Sequence, residues 1–461
     1  MDQAAQRTRW MLAAILAASM APSARAERRE VSPAAGSPQQ AVDAARAGDT
    51  LVFRSGRYRG PLAVGKPLAI EGEPGTMIEG DGAGSVITVT SPGVSLRGLE
   101  VRGSGTNLER MDSGVFLTKE AKGARVERNR IQGNLFGVYV HGAEDALVRH
   151  NTIVGLRDGR LAEAGNGVSV WNAPGAQVVD NDISFGRDGV FTISSKRNVF
   201  SRNNFHDLRF AIHYMYTNDS EIRDNISTGN AVGYAIMFSN RLVVSGNVSD
   251  RDRDDGFVFN YANGSEVAGN LVVGGPQPAE RWTSRGQRSA SEHGLPAAGP
   301  ASAPAAAARI GPEKCVFIYN ANQNRFRDNW FEGCEIGIHF TAGSEGNQVS
   351  GNAFVANRNQ VKYVGTRYLD WSAGGRGNYW SDNPGFDLNG DGLADTAYRP
   401  NDIIDKVLWT APAAKVLVNS PALQVIRWAQ SQFPALLPGG VVDTKPLISP
   451  PAKPARRGPE P

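Results

Sequence analysis

The sequence predicts an all-β chain: a right-handed parallel β-helix solenoid with coils of about 22 residues and a short C-terminal α-helical extension. Three observations lead there. The first is a repeat. Each unit carries Val, Ile or Phe, two free positions, Asn, one free position and another Val, Ile or Phe. The Asn falls at Asn129, Asn151, Asn181, Asn203, Asn225, Asn247 and Asn270, spaced 22, 30, 22, 22, 22 and 23 residues apart, and returns at Asn329 and Asn352. The second is the period within a unit: short alternating runs split by Gly, Asn and Asp, which read as strands and turns. The third is the 53 Gly, which suit a fold with a sharp corner at each strand end.

From the start of the chain, residues 1–26 read as a secretory signal. Arg7 and Arg9 form a basic start, Trp10 to Ala21 an apolar run, and Ala24-Arg25-Ala26 a small-residue cleavage site. That run is too short to span a bilayer. Ser37 to Ala47 reads as a helix capping the open N-terminal end of a solenoid, as an exposed last core layer requires. Residues 27–375 then form the β-helix. The stacked Asn side chains are expected to form an internal ladder between coils. Val190, Ile212, Ile236, Ile338 and Phe340 are expected in the core, since side chains alternate along a strand.

Two insertions break the beat, one near Arg157 to Ala164 and one over residues 276–312, which contains a Pro/Ala-rich tract. Such a tract cannot pack a core and is expected to be mobile. It either reaches over a binding face or is an ornament. Residues 376–412 change character, dense in aromatics, Asp and Gly. Residues 413–449 include an amphipathic run, Pro421 to Phe433, and residues 450–461 read as a disordered tail.

Charge is nearly balanced, 49 Lys and Arg against 46 Asp and Glu, a net +3, which gives no basis for a nucleic-acid partner. Cys315 and Cys334 either pair or serve as small core residues. No serine-nucleophile elbow, phosphate loop, zinc motif or dinucleotide fingerprint is present.

One sheet face attracts chemistry. Outward positions read down successive coils as Phe116, Tyr139, Ser169, Phe191, His213, Met237, Val258, Phe317 and His339. A second column runs through His141, Trp171, Met215 and Tyr319. In this reading Met237 stacks on His213. His213, Met215, Met237, His141 and His339 form a soft imidazole and thioether set suited to copper, especially Cu(I). Tyr139, Trp171, Phe191 and Tyr319 alternatively line a groove for a sugar or a protein, or the face is simply covered. Asp387, Asn389, Asp391 and Asp395, with Gly392, match the first part of a calcium loop. Tyr398 stands where the bidentate acid belongs, so the alternative is an Asx-rich turn. Asp252, Asp254 and Asp255 read either as the acids of a polysaccharide lyase, epimerase or hydrolase or as a turn neutralised by the interleaved Arg.

With these stretches in view, the chain resembles the NosD family, periplasmic accessory proteins of nitrous-oxide reductase maturation. The resemblance is strongest over Asn324 to Asn352, Gly377 to Asp402 and Val416 to Pro434. It implies an exported β-helix that binds copper and is not an enzyme. The implied partners are the permease and ATPase of an ABC-type transporter, the apo-reductase and a copper chaperone. It implies a periplasmic location at the inner membrane, held by the permease. Leu423, Ile426, Trp428 and Phe433 are the residues we expect to dock there. The family supplies no copper-ligand motif, so the His and Met assignment rests on the face alone.

Overall fold

The computed structural model describes residues 26–157, 163–278, 309–341, 343–365, 367–402, 404–405, 409, 420–433 and 439–456. Residues 1–25 of the expected signal, the bulk of the first insertion and residues 279–308 of the second lie outside them. The chain winds as a parallel β-helix, as expected. Each regular coil supplies one short strand to a first sheet, one to a second and a longer one to a third, the three sheets holding 13, 13 and 12 strands. Within one coil these are Glu221–Arg223, Ile226–Thr228 and Val232–Met237.

The repeat motif explains this geometry. The core Asn residues form a ladder, each side-chain amide donating to the next Asn carbonyl at 2.8–3.1 Å from Asn129 to Asn378. Every rung also caps a backbone N–H. Asn225 Oδ1, for example, accepts from Asn203 N at 3.0 Å while Asn225 Nδ2 donates to Phe200 O at 2.8 Å. Buried backbone polar groups at the corner are satisfied in this way, where a turn would otherwise strand them. A Gly or Ala precedes the first inward residue of the regular third-sheet strands and points to the inner corner: a Cβ on Gly189 would come within 2.4 Å of Phe205 Cδ1. Val190, Ile212, Ile236, Ile338 and Phe340 are buried in the core.

The helix Pro38–Ala44, capped by the Ser37 hydroxyl, covers the first coils. The second insertion leaves the register intact. It leaves and returns through the antiparallel pair Gly275–Gln277 and Arg309–Gly311, and Asp255–Asn260 pairs directly with Lys314–Tyr319. Cys315 and Cys334 form a buried disulfide in the coil that follows.

The C-terminal end differs from expectation in two ways. The boundary at residue 375 cuts a coil, because Tyr379–Trp380 pairs with Ala353–Phe354 in the second sheet. The tail, expected to carry no structure, lies along that sheet as far as Arg456. Leu447 bridges to Tyr379, Lys453 pairs with Glu332 and sits over the Trp330 ring, and Arg456 meets Asp250 at 2.8 Å. The reason is the sheet it lies on: Val248, Leu271 and Ala353 face outward there yet are buried. The helix Pro421–Gln432 starts at Ser420, whose hydroxyl accepts from Leu423 N. No helix among the described residues is long and apolar enough to cross a membrane.

Candidate metal and docking face

The outward side of the third sheet carries the candidate residues. Its register confirms the two columns at every coil but one. His213 pairs with Ala235, and Met237 pairs with Met215. The expected stack of Met237 on His213 is therefore corrected by two residues. The coil reads Gly233-Tyr234-Ala235-Ile236, and Tyr234 takes the inward position that pairs with Ile212. Its ring is buried, and its hydroxyl donates to the carbonyls of Asn225 and Val248, both at 2.9 Å.

The five expected copper residues do not converge on one point. His141 lies three coils from His213, and His339 four coils beyond it, so at strand spacing they are about 14 and 19 Å from it. Among the described residues, no three His, Cys, Asp or Glu side chains gather as a metal cluster. The register does bring together His213, Met215 and Met237, two positions apart along one strand and one coil over.

His213 is the most structured of the three. Its ring is nine-tenths buried between Phe191 and Phe210, with ring centres 5.0 Å away on both sides. Its Nδ1 lies 3.2 Å from Asp188 Oδ2, while its Nε2 is buried with no hydrogen-bond partner. Asp188 is itself buried and is gripped by Arg209 through two contacts of 2.8 and 2.7 Å. Burial alone would raise the Asp188 carboxyl; the hydrogen bonds from His213 and Arg209 outweigh it and hold the group below the usual range. A carboxylate on one imidazole nitrogen and a bare second nitrogen is the arrangement that orients a metal-binding histidine. By its chemistry His213 Nε2 fits a soft cation, with Met215 two positions along the same strand and Met237 paired to Met215 one coil over. Asp188 and Arg209 were not legible as site residues. The available signal was Asp188 standing immediately before the motif Gly, at a column position held by Phe210 and Val232 in the next two coils.

Beyond His213 the floor becomes apolar: Val232, Ala235 and Val258 form a small cluster on the outer side with Phe210, Met237 and Phe317 against it. A second polar group closes the far end, where Lys314 Nζ lies 3.4 Å from Asp255 Oδ1 and His339 packs on Phe317. Toward the N-terminal end, Tyr139 stacks on Phe116 at 5.6 Å, and His141 stacks on Trp171 at 4.4 Å. The groove residues therefore form a ring-on-ring surface, with Trp171 and Tyr319 exposed and Tyr139 and Phe191 half-buried.

One flank of this face was missed. Tyr216, Phe238 and Tyr261 stack in near-parallel, with ring centres 5.0 and 5.2 Å apart. All three have left-handed backbone, with φ of 48°, 49° and 51°, at a corner where other coils carry Gly142, Asn172 and Asn320. Bulky residues in this region are strained by about 1–2 kcal/mol each, and such strain collects at functional surfaces. The signal was an aromatic residue recurring at spacings of 22 and 23 just before a polar turn. The rings cover one another's faces, so the stripe offers edges and hydroxyls rather than a platform for flat stacking.

The other expectations resolve plainly. Asp252 is fully buried, accepting from Ser227 and Ser249 hydroxyls and from Asn230 N at 2.6–2.9 Å, while Asp254 pairs with Arg253. Asp252 is thus taken up by buried hydrogen bonds within its own coil and the one before it. In the Asp387 loop, Asp387 accepts from the N–H of Gly390, Asp391 and Gly392, Asn389 from Asp391, Asp391 from Leu393, and Asp395 from Leu388. These Asx turns order the loop. Of the helix residues, Val425, Ile426, Trp428 and Phe433 are exposed and Leu423 is half-buried.

Comparison with known proteins sets these features in a family. Residues 156–385 match the family model described as "Periplasmic copper-binding protein (NosD)". A "Probable ABC transporter binding protein NosD" of Stutzerimonas stutzeri is 38% identical over 399 residues, covering 87% of this chain and 86% of the relative. A protein of the same description from Pseudomonas aeruginosa is 39% identical, covering 86% of this chain and 88% of the relative. Among solved structures, the Dettilon tailspike protein is similar at 15% identity and a TM-score of 0.48, covering 73% of this chain and 68% of its own.

Proposed function

The chain belongs to the NosD family, and from that premise we propose that it is an exported accessory protein of nitrous-oxide reductase maturation. In this reading it works in the periplasm beside the permease and ATPase of an ABC-type transporter and carries copper as cargo toward the copper–sulfide centre. His213 Nε2 with the Met215 and Met237 thioethers takes Cu(I), received from a copper chaperone. Asp188 and Arg209 orient the imidazole. The flanking apolar floor and the aromatic edge from Tyr216 to Tyr261 meet the apo-reductase. The exposed side of the helix Pro421–Gln432, with Ile426, Trp428 and Phe433, meets the permease and holds the protein at the inner membrane.

The observation that carries this reading is the buried, unpartnered Nε2 of a histidine whose other nitrogen already rests on a carboxylate. Unpaired buried polar atoms are costly, so a partner that arrives later is the economical account. The test is competition for Cu(I) against a chromogenic chelator, using the protein from Glu27 onward. One-to-one binding that weakens at least tenfold in His213→Ala and in Met237→Ala is expected. Equal affinity in both folded variants would sink the site. In parallel, Trp428→Ala should lose co-purification with the permease from membranes; retention would sink the docking assignment.

A further inference from the structure

The strand Arg28–Val31 opens the first sheet in register with Thr50–Phe53, and Thr50 N donates to Glu27 O at 2.8 Å. What fixes this start is one carboxylate, Asp49, which is 2% exposed. Its Oδ1 accepts from the Glu27 backbone N–H at 2.9 Å, and its Oδ2 accepts from Arg46 N at 2.8 Å. Asp49 thus ties the turn after the capping helix to the first residue of the first strand. Its charge is poorly matched. Arg29 stands 3.4 Å away but is already paired with the Glu27 side chain at 2.8 Å and donates to Ala44 O. A buried carboxylate with two neutral amides and a shared guanidinium has room for one more positive charge.

Cleavage at the expected boundary supplies that charge at this atom. Hydrolysis of the Ala26–Glu27 peptide bond adds the hydroxyl of water to the Ala26 carbonyl carbon and a proton to the Glu27 nitrogen. A further proton from solvent makes that nitrogen an α-ammonium. We propose that Asp49 is a built receptor for the processed N-terminus, so that removal of the leader converts an amide hydrogen bond into a buried ion pair. Closure of the first coil is thereby coupled to proteolytic maturation. This rests on the export reading above, and the receptor can fail while that reading stands. The hydrogen bonds from Arg46 and Glu27 already hold the Asp49 carboxyl below its ordinary range, so it is charged when the ammonium arrives.

The exported full-length protein is purified, its first residue read by intact mass, and the α-amine acylated selectively at pH 8. A start at Glu27 is expected. Its amine should acylate about tenfold more slowly than that of a free Glu-initiated peptide, because an ion-paired amine stays protonated above the ordinary value of about 8. Asp49→Asn should restore the peptide rate. Two further forms need no substitution in the fold: one retaining Ala26, and one acetylated on the Glu27 nitrogen. Both should melt below the mature protein at pH 7. The gap should close as pH rises through the raised amine pKa, since a group whose folded pKa is raised stabilises below that value and not above it. A Glu27 start with a peptide-like acylation rate, or melting equal to the acetylated form, overturns the receptor. A start elsewhere overturns the cleavage reading and the receptor with it.

Discussion

Asp255 and His339 surround Lys314 on the outer side of the third sheet, and burial moves them in opposite directions along the pH axis. Burial pushes the Asp255 carboxyl up to about 6, against the pull of Lys314. Burial, helped by Lys362 and Lys314, pushes the His339 imidazole down to about 4. The signs oppose. Asp255 contributes stability below its unfolded value of about 3.9 that is lost as pH rises to about 6. His339 contributes stability above its unfolded value of about 6.5 that is lost as pH falls toward about 4. The two slopes therefore offset between pH 4 and 6, and Asp255→Asn should unmask the histidine. Denaturant midpoints of that variant should climb more steeply from pH 4 to 6.5 than those of the parent. A variant no steeper than the parent would contradict the opposed shifts of Asp255 and His339. Neither group was visible as a pair in the sequence, since Asp255 and Lys314 are separated by the second insertion and only the register joins them. The Asn ladder was visible, because one residue type at one spacing has one structural use. His213 was visible as an outward residue, but Asp188 beneath it was not. Met237 was misplaced because Tyr234 holds the inward position paired with Ile212, which alternation alone does not reveal.

At the scale of an element, the least legible part is the tail. Its composition, rich in Pro and Lys or Arg, says that it cannot form a core of its own, and that inference holds. What composition omits is that a Pro-rich strand can be ordered by a surface built for it. The second sheet supplies one, with Val248, Leu271 and Ala353 facing out beneath the tail and Trp330, Glu332 and Asp250 taking its cations. Removing residues 449–461 should expose that column and destabilise the fold by on the order of 3 kcal/mol, from re-exposing two large aliphatic side chains. The same deletion should raise binding of an apolar dye. Lys453→Glu, which places like charge against Glu332, should reproduce a fraction of the loss at low salt. An unchanged denaturation midpoint and no dye binding in the truncated chain would mean that the tail does not shield this face. The helix Pro421–Gln432 behaves in the opposite way: its apolar residues were legible as a stripe, and Val425, Ile426 and Trp428 are largely exposed on it.

For the whole molecule, the solenoid makes stability nearly one-dimensional, because each coil touches only its neighbours. A ladder that bonds each coil to the next must end somewhere, and its last amide cannot be left unpaired. Here the final rung is Asn378, whose backbone N–H donates to Asp443 Oδ2 at 2.7 Å. The buried Trp380 indole N–H donates to the same oxygen at 2.8 Å, and Tyr398 and Asp443 exchange backbone hydrogen bonds of 2.9 Å. Trp371 and Trp380 close the core layer around Phe354, with ring centres 6.4 and 4.3 Å from it. Asp443, more than sixty residues after Asn378 in sequence, therefore plays at the C-terminal end the role that the helix Pro38–Ala44 plays at the other. Asp443→Ala leaves the Asn378 N–H and the Trp380 indole N–H without that acceptor, at about 1–3 kcal/mol for each buried group. In a fold of neighbour-only contacts this loss stays local. Amide exchange should accelerate over residues 371–380 and their partners at 353–354, while the strands Asp188–Ile193 and Phe210–Met215 keep their protection. Uniform acceleration along all coils would contradict it and show instead that the molecule opens as one cooperative unit, with the face around His213 unable to stay folded once the distant cap is lost.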